Sequence, residues 1–456
     1  MSLLRIIALI VVLGGVVVAT VPNVTSAIHT VPYTIDEVSW YFHTRYFELV
    51  AVHPDSRSDK WVSLEAYDHP PFAKYLFGSY LYLLDKDTLY KRQQLENKWG
   101  RWAIYASPIF DNQEGFKDFE EPIIHMRQVS GIFLYITAIS SGLILFTVTG
   151  NIAFALLLSY LLMQNPIVIT NLIRATPDAI MTSFILLGIL FYLYYYKHFR
   201  YHWMVLSAIM SGYAIATKLT AVLLLYGITI SELLLYFISD KESSRLLRTL
   251  GTLLGIVWAV WFMINPSLYY HPLAGTREYF MFRNEVKNNQ MKDFSSVALP
   301  SVSSRLHAVY CTVLISGCGS EFSNGELIPW RVVNIVIIIV SIIGIGFALT
   351  QNTHRELMLI TVVCAGCLIL GITLILPLYW DRYLVPVQIL VWVLELSGLH
   401  WFFAECIRQW RKPHSFLRIG LQKIIRSSTN QKMKRLRIVH VLRQFSVMER
   451  IKKPRL

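Results

Sequence analysis

The stretches LLRIIALIVVLGGVVVATV, from Leu3 to Val21, and YTIDEVSW, from Tyr33 to Trp40, decide how the rest of the chain is organised. An α-helix needs roughly 20 mainly apolar residues to cross the ~30 Å hydrocarbon core of a bilayer, so the first stretch is long enough to span a membrane. The adjacent acids Asp36 and Glu37 follow soon afterwards and therefore emerge just beyond the far side of this span. Taken alone, the two acids are more typical of the start of a solvated loop than of a site.

The composition places the chain among polytopic membrane proteins. Of its 456 residues, 54% are hydrophobic and only 16% are charged, which is too apolar for a soluble enzyme of this size. The net charge of +13 is concentrated in the basic segment 406–456. Such a tail after a final span predicts a cytoplasmic segment held near anionic lipid, and no base-reading module accompanies it that would favour nucleic acid.

Hydropathy predicts about ten spans with both chain ends inside. The first apolar run is longer than a usual signal-peptide core, so we expect it to be a retained helix. The third span should be broken at Asn165-Pro166. The predicted spans are Leu3 to Val21, Gln128 to Val148, Ile152 to Ile173, Ala179 to Tyr196, Trp203 to Thr217, Ala221 to Ile238, Leu250 to Ile264, Val332 to Thr350, Leu357 to Leu376 and Leu384 to Phe403.

This topology predicts a transmembrane domain over 1–405 with two large outer loops, 22–126 and 265–329. The segment Phe72 to Leu84 is aromatic and amphipathic, which indicates a helix lying in the outer interface. Cys311 and Cys318 fall in the second outer loop, where pairing is possible if that compartment is oxidising. The cysteines of the CxxC motif 364–367 lie inside a span, where packing is the default role.

Nine ionisable residues that the spans do not explain fall at outer helix ends or in outer loops. Ionisable groups at span edges are costly unless they face a cavity or one another. Their mixed signs suit a carboxylate base beside a cationic clamp for an anionic leaving group, whereas a proton pathway would use acids such as Glu232 and Glu395 nearer the inner side. For each lysine or arginine alone, membrane anchoring is an equal alternative. The nine are Asp36, Glu37, His69, Lys74, Arg127, Arg174, Asp178, Lys218 and Arg382.

The order of short motifs along the chain resembles that of the GT-C glycosyltransferases, closest to the branch that holds protein O-mannosyltransferases and bacterial lipid A aminoarabinose transferases. The motifs are the acid pair after the first span, HPPFAK (69–74), Arg127 at the mouth of the second span, RATPDAIMTSF (174–184), ATKLTA (216–221) and DRYLVP (381–386). Each motif is weak alone, and their order across ten spans is the specific signal. The likeness covers roughly residues 1 to 400, and the basic tail has no counterpart.

The resemblance implies an all-α membrane enzyme with the GT-C fold that moves a sugar from a polyprenyl-phosphate donor to an acceptor at the outer or lumenal face, with inversion. Negative charge builds on the departing phosphate, and fixed cations in a low-dielectric pocket stabilise that charge. The implied partners are the lipid-linked donor, a protein, lipid or glycan acceptor, and membrane lipids, with no nucleic acid. No cofactor is implied, and a divalent metal is left open because the sequence has no dense Asp, Glu and His ligand set.

The resemblance also implies roles for individual residues. Asp36 resembles the acid that takes the acceptor's proton, with Glu37 beside it, and Asp178 is similar to a second acid that orients sugar or acceptor. Arg127 resembles the arginine that meets the donor phosphate. The remaining expected phosphate contacts are Lys218, Arg382 and Lys74, and the expected substrate-lining residues are His69, Arg174 and Tyr269.

Two features leave alternatives open. The aminoarabinose enzymes carry a lysine before the two prolines where this chain has His69, so that the nearest lysine, Lys74, lies one helical turn later. A transporter or flippase for a lipid-linked saccharide would also need a cationic clamp, although it would be expected to have related halves and charged groups near the middle of the membrane. The sequence does not specify the sugar or the acceptor.

Overall fold

A computed structural model describes residues 3–411 apart from 63–65, 68, 100–112, 239–241, 270, 296–297, 311–327, 352–353, 376–377 and 379–380. The described chain is almost entirely helical. The helices are α1 Leu3–Thr30, α2 Ile35–His43, α3 Phe72–Leu84, α4 Thr88–Trp99, α5 Glu120–Thr149, α6 Ile152–Leu162, α7 Pro166–Ile173, α8 Asp178–His198, α9 Tyr201–Thr217, α10 Val222–Ile238, α11 Ser243–Ile264, α12 Pro272–Asp293, α13 Val302–Val309, α14 Ile328–Thr350, α15 Arg355–Ile375 and α16 Val385–Arg411.

The described residues do not confirm the ten predicted membrane spans. Within the described ranges, seven helices are long and apolar enough to cross a bilayer, or eight if the bent pair α6 and α7 forms one span. Neither α1 nor α9 is in that count. The 17 residues of α9 rise only about 26 Å at 1.5 Å per residue, which is short of the hydrocarbon thickness. The multi-pass architecture is thus confirmed, and the figure of ten is not.

The predicted break in the third span is confirmed. The helices α6 and α7 meet at an angle of 64°. Asn165 caps α7 by accepting a hydrogen bond from the backbone N–H of Val168 at 2.9 Å, and Pro166 occupies the first turn, where its missing N–H costs nothing. The break lets the chain return toward the end of the bundle where α5 begins.

The long helices run alternately up and down, which collects particular residues at one end. α5 and α8 run in the same direction, since Thr137 pairs with Ser183 at 2.9 Å and, further along both helices, Lys197 donates to the carbonyl of Thr147 at 3.1 Å. α9 returns antiparallel, with Ser207 donating to the carbonyl of Gly188. The starts of α5, α8 and α10 and the ends of α7, α9 and α11 therefore lie at the same end of the bundle.

That end is covered by the helices α2 and α3, which lie between α1 and α5 in the chain. The helix predicted from Phe72 to Leu84 is confirmed with those bounds as α3. α3 packs against α2 and α5 in an aromatic cluster, where Trp40, Phe77 and Phe119 are almost fully buried. This packing fixes α2, and with it the acid pair, over the mouths of the spans.

The chain consists of two compact units, and a buried cysteine lies in the first of them. The chain separates into a compact unit of residues 1–403 and a second unit of 404–456, of which the described part is the last turns of α16. The basic tail beyond residue 411 and the possible Cys311–Cys318 pairing lie outside the described residues. Cys364 is free and buried in α15, where its Cα would lie 3.0 Å from a Cβ added at Gly227 of α10, so it packs between helices.

Candidate active site

Glu37 forms the most deeply buried ion pair at this end of the bundle that the structure describes. Neither its side chain nor that of Arg127 is exposed to solvent. Arg127 Nε and Nη2 donate to the two Glu37 oxygens, each at 2.8 Å. The backbone N–H groups of Ala175 and Thr34 complete the carboxylate's shell at 2.8 and 3.1 Å. Such a two-pronged pairing of a guanidinium with a carboxylate fixes both groups geometrically.

Arg127 uses all of its donors on protein atoms. Besides its bonds to Glu37, it donates to the carbonyl oxygens of Ile28, Val31 and Pro32 at 2.9, 2.7 and 3.2 Å. A guanidinium has five N–H donors, and these five bonds account for all of them. The arrangement therefore departs from the expectation that Arg127 meets the donor phosphate. It joins the end of α1 to α5 and holds Glu37 in place.

Asp36 is oriented differently, although it is the next residue along α2. Successive positions on an α-helix are about 100° apart, so Asp36 faces away from Arg127. Its carboxylate pairs with Arg382, which lies in the short 3₁₀ turn Asp381–Tyr383 between α15 and α16. The Asp36 side chain is 34% exposed. Burial opposes the charge on Arg382, but Asp36, Tyr383 and Asp178 outweigh burial and raise the pKa of that guanidinium.

Asp178 and Lys218 form a second buried ion pair at this end of the bundle, in addition to Glu37 and Arg127. Lys218 Nζ donates to Asp178 Oδ1 at 2.6 Å, and the hydroxyl of Thr176 donates to Oδ2 at 3.1 Å. Asp178 begins α8 and Lys218 follows the last residue of α9, so the up-and-down arrangement of the helices brings them together. Tyr383 contacts both this pair and the Asp36–Arg382 pair. Its ring centre is 4.5 Å from Lys218 Nζ and 5.5 Å from Arg382 Cζ. Acids and cations therefore alternate from Asp36 to Lys218.

A cavity of about 320 Å³ opens beside the Asp178–Lys218 pair. One part of its wall is polar and the other is apolar. The polar wall consists of His69, Asp178, Lys218, Thr220, Arg283, Asn284, Lys287 and Tyr383. The apolar wall consists of Met181, Leu219, Val222, Leu223, Tyr226, Phe280, Ile372 and Ile375, mostly from α10 and the end of α15.

His69 lies on the polar wall, as expected for a substrate-lining residue. Its ring centre is 5.3 Å from that of Trp40 on α2. Burial lowers the pKa of His69 well below its usual range, and the nearby cations Arg283, Lys218 and Lys74 lower it further. The imidazole is therefore neutral at physiological pH, and the ring presents a hydrogen-bonding group without charge to the cavity.

Lys74 and Tyr269 are placed differently from the expectation. Lys74 is fully buried, with Nζ 4.7 Å from the centre of the Tyr46 ring, and does not line the cavity. Tyr269 is 42% exposed and donates through its hydroxyl to the carbonyl of Met263 at the end of α11. It also lies outside the cavity wall, so its position fits an interfacial aromatic better than a substrate contact.

Arg174 lies between the Glu37 and Asp36 pairs and not on the cavity wall. Burial lowers its pKa, and the approach of Arg382 and Arg127 adds to this, while Glu37 and Asp36 oppose it. Its Nε is buried and has no hydrogen-bond partner within the described part of the chain. Arg174 is thus close to the acids but separate from the described cavity.

The structure adds cavity residues that the site prediction did not include. Arg283, Asn284 and Lys287 reach the cavity from α12, and the two cations Arg283 and Lys287 have the i, i+4 spacing of neighbours on one face of a helix. A cationic row in a polar outer helix is a signal that the sequence contains, but only the fold shows which cavity it faces. Among the described residues, no three His, Cys, Asp or Glu side chains are grouped closely enough to hold a metal ion.

Comparisons with known proteins agree with the predicted resemblance. Residues 62–270 match the family model of the dolichyl-phosphate-mannose-protein mannosyltransferases. The crystal structure of ArnT from Cupriavidus metallidurans bound to undecaprenyl phosphate has a similar fold, with a TM-score of 0.50 and 14% identity over 87% of this chain and 60% of that one. No curated protein matches the sequence significantly.

A second solved structure with lower similarity is the archaeal oligosaccharyltransferase AglB from Archaeoglobus fulgidus, in complex with an inhibitory peptide and a dolichol-phosphate. Its TM-score is 0.47, with 11% identity over 93% of this chain and 54% of that one. This chain spans 60% or less of the length of either structure. The family match and the ArnT fold confirm the resemblance to GT-C glycosyltransferases.

Proposed function

We propose that this GT-C chain is an integral-membrane, inverting glycosyltransferase that uses a polyprenyl-phosphate sugar. The observation that carries the proposal is the placement of a partly exposed carboxylate, Asp36, a partly buried cation, Arg382, and a buried cation, Lys218, beside a cavity with an apolar wall. The family match to mannosyltransferases of proteins makes mannose and a protein hydroxyl the first donor sugar and acceptor to test.

Asp36 acts as the base. The acceptor hydroxyl transfers its proton to the Asp36 carboxylate while the acceptor oxygen forms a bond to the anomeric carbon of the sugar. The bond between that carbon and the phosphate oxygen breaks, and its electron pair stays on the phosphate. A positioned base of this kind contributes about 10²–10⁴-fold to the rate. Asp36 is suited to the role because it is exposed enough to meet an acceptor, whereas Glu37 is sealed by Arg127.

The cations stabilise the departing phosphate. Lys218 and Arg283 line the cavity, and Arg382 lies next to Tyr383 on its wall. Arg382 is shared between Asp36 and the phosphate, so that donor binding draws the guanidinium toward the leaving group and frees the carboxylate for the acceptor. Positive groups fixed in a low-dielectric pocket interact with developing negative charge much more strongly than they would in water.

The apolar wall accommodates the isoprenoid chain. Tyr226 on α10 lines the cavity and is 57% exposed, and Ile375 at the end of α15 lines it and is 39% exposed. A residue that lines the cavity and is also exposed to solvent marks an opening of the cavity. Here the opening lies between the apolar helices α10 and α15. In the proposed reaction, the lipid passes through this opening into the bilayer while the phosphate stays among the cations. We assign this end of the bundle to the outer face and the basic tail to the cytoplasm.

The test is transfer by purified protein in detergent from a series of polyprenyl-phosphate sugars to peptide acceptors. Asp36→Asn should lower transfer about 10²–10⁴-fold because the base is lost. Asp85→Asn is the matched control, since Asp85 is also a carboxylate paired with a cation, Lys91, but lies on the exposed surface. Full transfer by a normally folded Asp36→Asn protein would exclude this base. Movement of labelled lipid across liposomes with no sugar consumed would favour a flippase instead.

A further inference from the structure

One face of α12 forms part of the cavity wall. Phe280, Arg283, Asn284 and Lys287 all line the cavity, at the spacing of residues that share one side of a helix. The stripe begins with an aromatic ring and ends with a lysine. α12 therefore presents cations along the cavity.

The position of α12 is fixed by contacts just before this stripe. The hydroxyl of Tyr279 lies within hydrogen-bond distance of two acceptors that share its one hydrogen, the carbonyl of Ala66 at 3.2 Å and Asn265 Oδ1 at 3.1 Å. Tyr67 donates to Glu278 Oε2 at 3.0 Å. Tyr279 is almost fully buried, so these bonds hold the helix at a defined height above the spans. The side chains of the stripe are thus carried by a rigid support.

Lys287 differs from the other lysine of the cavity in how its charge is balanced. Lys218 is paired with Asp178 at 2.6 Å. No carboxylate of the described residues pairs with Lys287, which is partly buried and has Arg305 nearby. Burial and Arg305 both lower the pKa of its ammonium group. Its positive charge is thus available to an anion in the cavity.

The phosphate gains charge during the proposed reaction. A polyprenyl-phosphate sugar is a phosphodiester with one negative charge, and the polyprenyl phosphate that leaves is a monoester. The second pKa of a phosphate monoester is near 6, so the product carries close to two negative charges at neutral pH. A cation without a partner gains attraction with each added charge, whereas a cation already neutralised by a carboxylate gains less.

We propose that Lys287 distinguishes the leaving polyprenyl phosphate from the intact donor, so that the cavity binds a phosphate monoester more tightly than a phosphate diester. The inference rests on the proposed function and names the form of the lipid that this site favours. Lys287 stabilises charge that exists fully only after the sugar–phosphate bond has broken, and interactions of that kind raise kcat and cause product inhibition.

The experiment measures binding of farnesyl phosphate and of its methyl diester, which has the charge of the donor but carries no sugar. Calorimetric titration with purified protein in detergent at pH 8 should show a preference for the monoester of about tenfold, as expected for one charge-assisted contact. In Lys287→Gln this preference should fall below about twofold, and Lys287→Arg should retain it. Lys292→Gln is the matched control on the same helix, since Lys292 is exposed and off the cavity wall.

The outcomes separate this inference from the proposed function. Equal weakening of both esters in Lys287→Gln would make Lys287 a general phosphate contact and overturn the inference, as would an unchanged preference. A wild-type protein that transfers sugar but binds both esters equally would keep the function and exclude the discrimination. A monoester preference without transfer from any sugar donor would overturn the proposed function on which the inference depends.

Discussion

Removing Arg127 should lower the stability of the protein more than it weakens binding of the donor. Arg127→Met deletes five hydrogen bonds, two to Glu37 and three to the carbonyls that end α1. Glu37 keeps the backbone N–H groups of Ala175 and Thr34 and the Thr34 hydroxyl, and it becomes a buried charge without its ion-pair partner. Loss of one partner from a buried pair costs about 3–5 kcal/mol.

This cost converts into a thermal shift. An unfolding entropy of ~2.1 cal/mol/K per residue corresponds to about 1 kcal/mol/K for a chain of 456 residues. Arg127→Met should therefore lower Tm by about 3–5 °C. Glu37→Gln should cost less, because Arg127 keeps its bonds to the three backbone carbonyls. The double variant should be more stable than the sum of the single losses predicts, by about 1–3 kcal/mol, because it removes the uncompensated charge.

Thermal unfolding of the four proteins in detergent, followed by a thiol-reactive or tryptophan signal, measures the cycle. Lys91→Met is the control for loss of a cation from an exposed pair, and we expect no measurable shift in Tm. The transfer assay on the same samples gives KM for the lipid donor. A normal Tm for Arg127→Met together with a large rise in donor KM would refute the positioning role and restore the phosphate contact. Strict additivity of the two single variants would refute the coupling.

Three further outcomes follow from the geometry. Lys218→Met removes a cavity cation and leaves Asp178 buried without its partner, so transfer should fall about 10²–10³-fold and Tm should fall with it, while Lys218→Arg should recover part of both. The pKa of His69 is lowered, so below about pH 6.5 the unfolded chain binds a proton that the folded chain does not, and stability falls as the pH falls. The Tm difference between pH 7 and pH 5 should therefore be smaller in His69→Gln, and an unchanged difference would contradict a neutral imidazole. Gly344→Val should lower Tm, because a Cβ at this position would contact the carbonyl of Gly398 and push α14 from α16, whereas unchanged unfolding would exclude this close approach.

The parts of the fold that follow from the sequence are those set by long apolar runs and by local capping. The break at Asn165-Pro166 and the helix from Phe72 to Leu84 depend on residues close in the chain, and both are confirmed. The predicted count of ten spans is not confirmed, and α9 shows one reason, since it is marginal in length. The 17 residues of α9 carry the right composition, but their rise is too short for an isolated crossing.

The sequence predicts which charged residues gather at the site. It does not predict which acid pairs with which cation. The up-and-down order of the helices places Asp178 and Lys218 at one end, which the sequence indicates. Which acid meets which cation depends on the direction of each side chain on α2, where a step of one residue sends Asp36 to Arg382 and Glu37 to Arg127. Sequence patterns do not specify how α2 is rotated relative to the neighbouring helices. Only the tertiary structure therefore shows which arginine pairs with which acid.

The contact between Asp36 and Arg382 joins residues 346 positions apart. A nascent chain exposes Asp36 early, when the first helix has been inserted, and supplies Arg382 only when the last apolar helix is about to leave the ribosome. The pair therefore forms only after every helix from α2 to α15 has been synthesised. A truncated product that stops before this arginine keeps the Asp36 carboxylate without its partner, so the contact reports that all the helices between the two residues have been made.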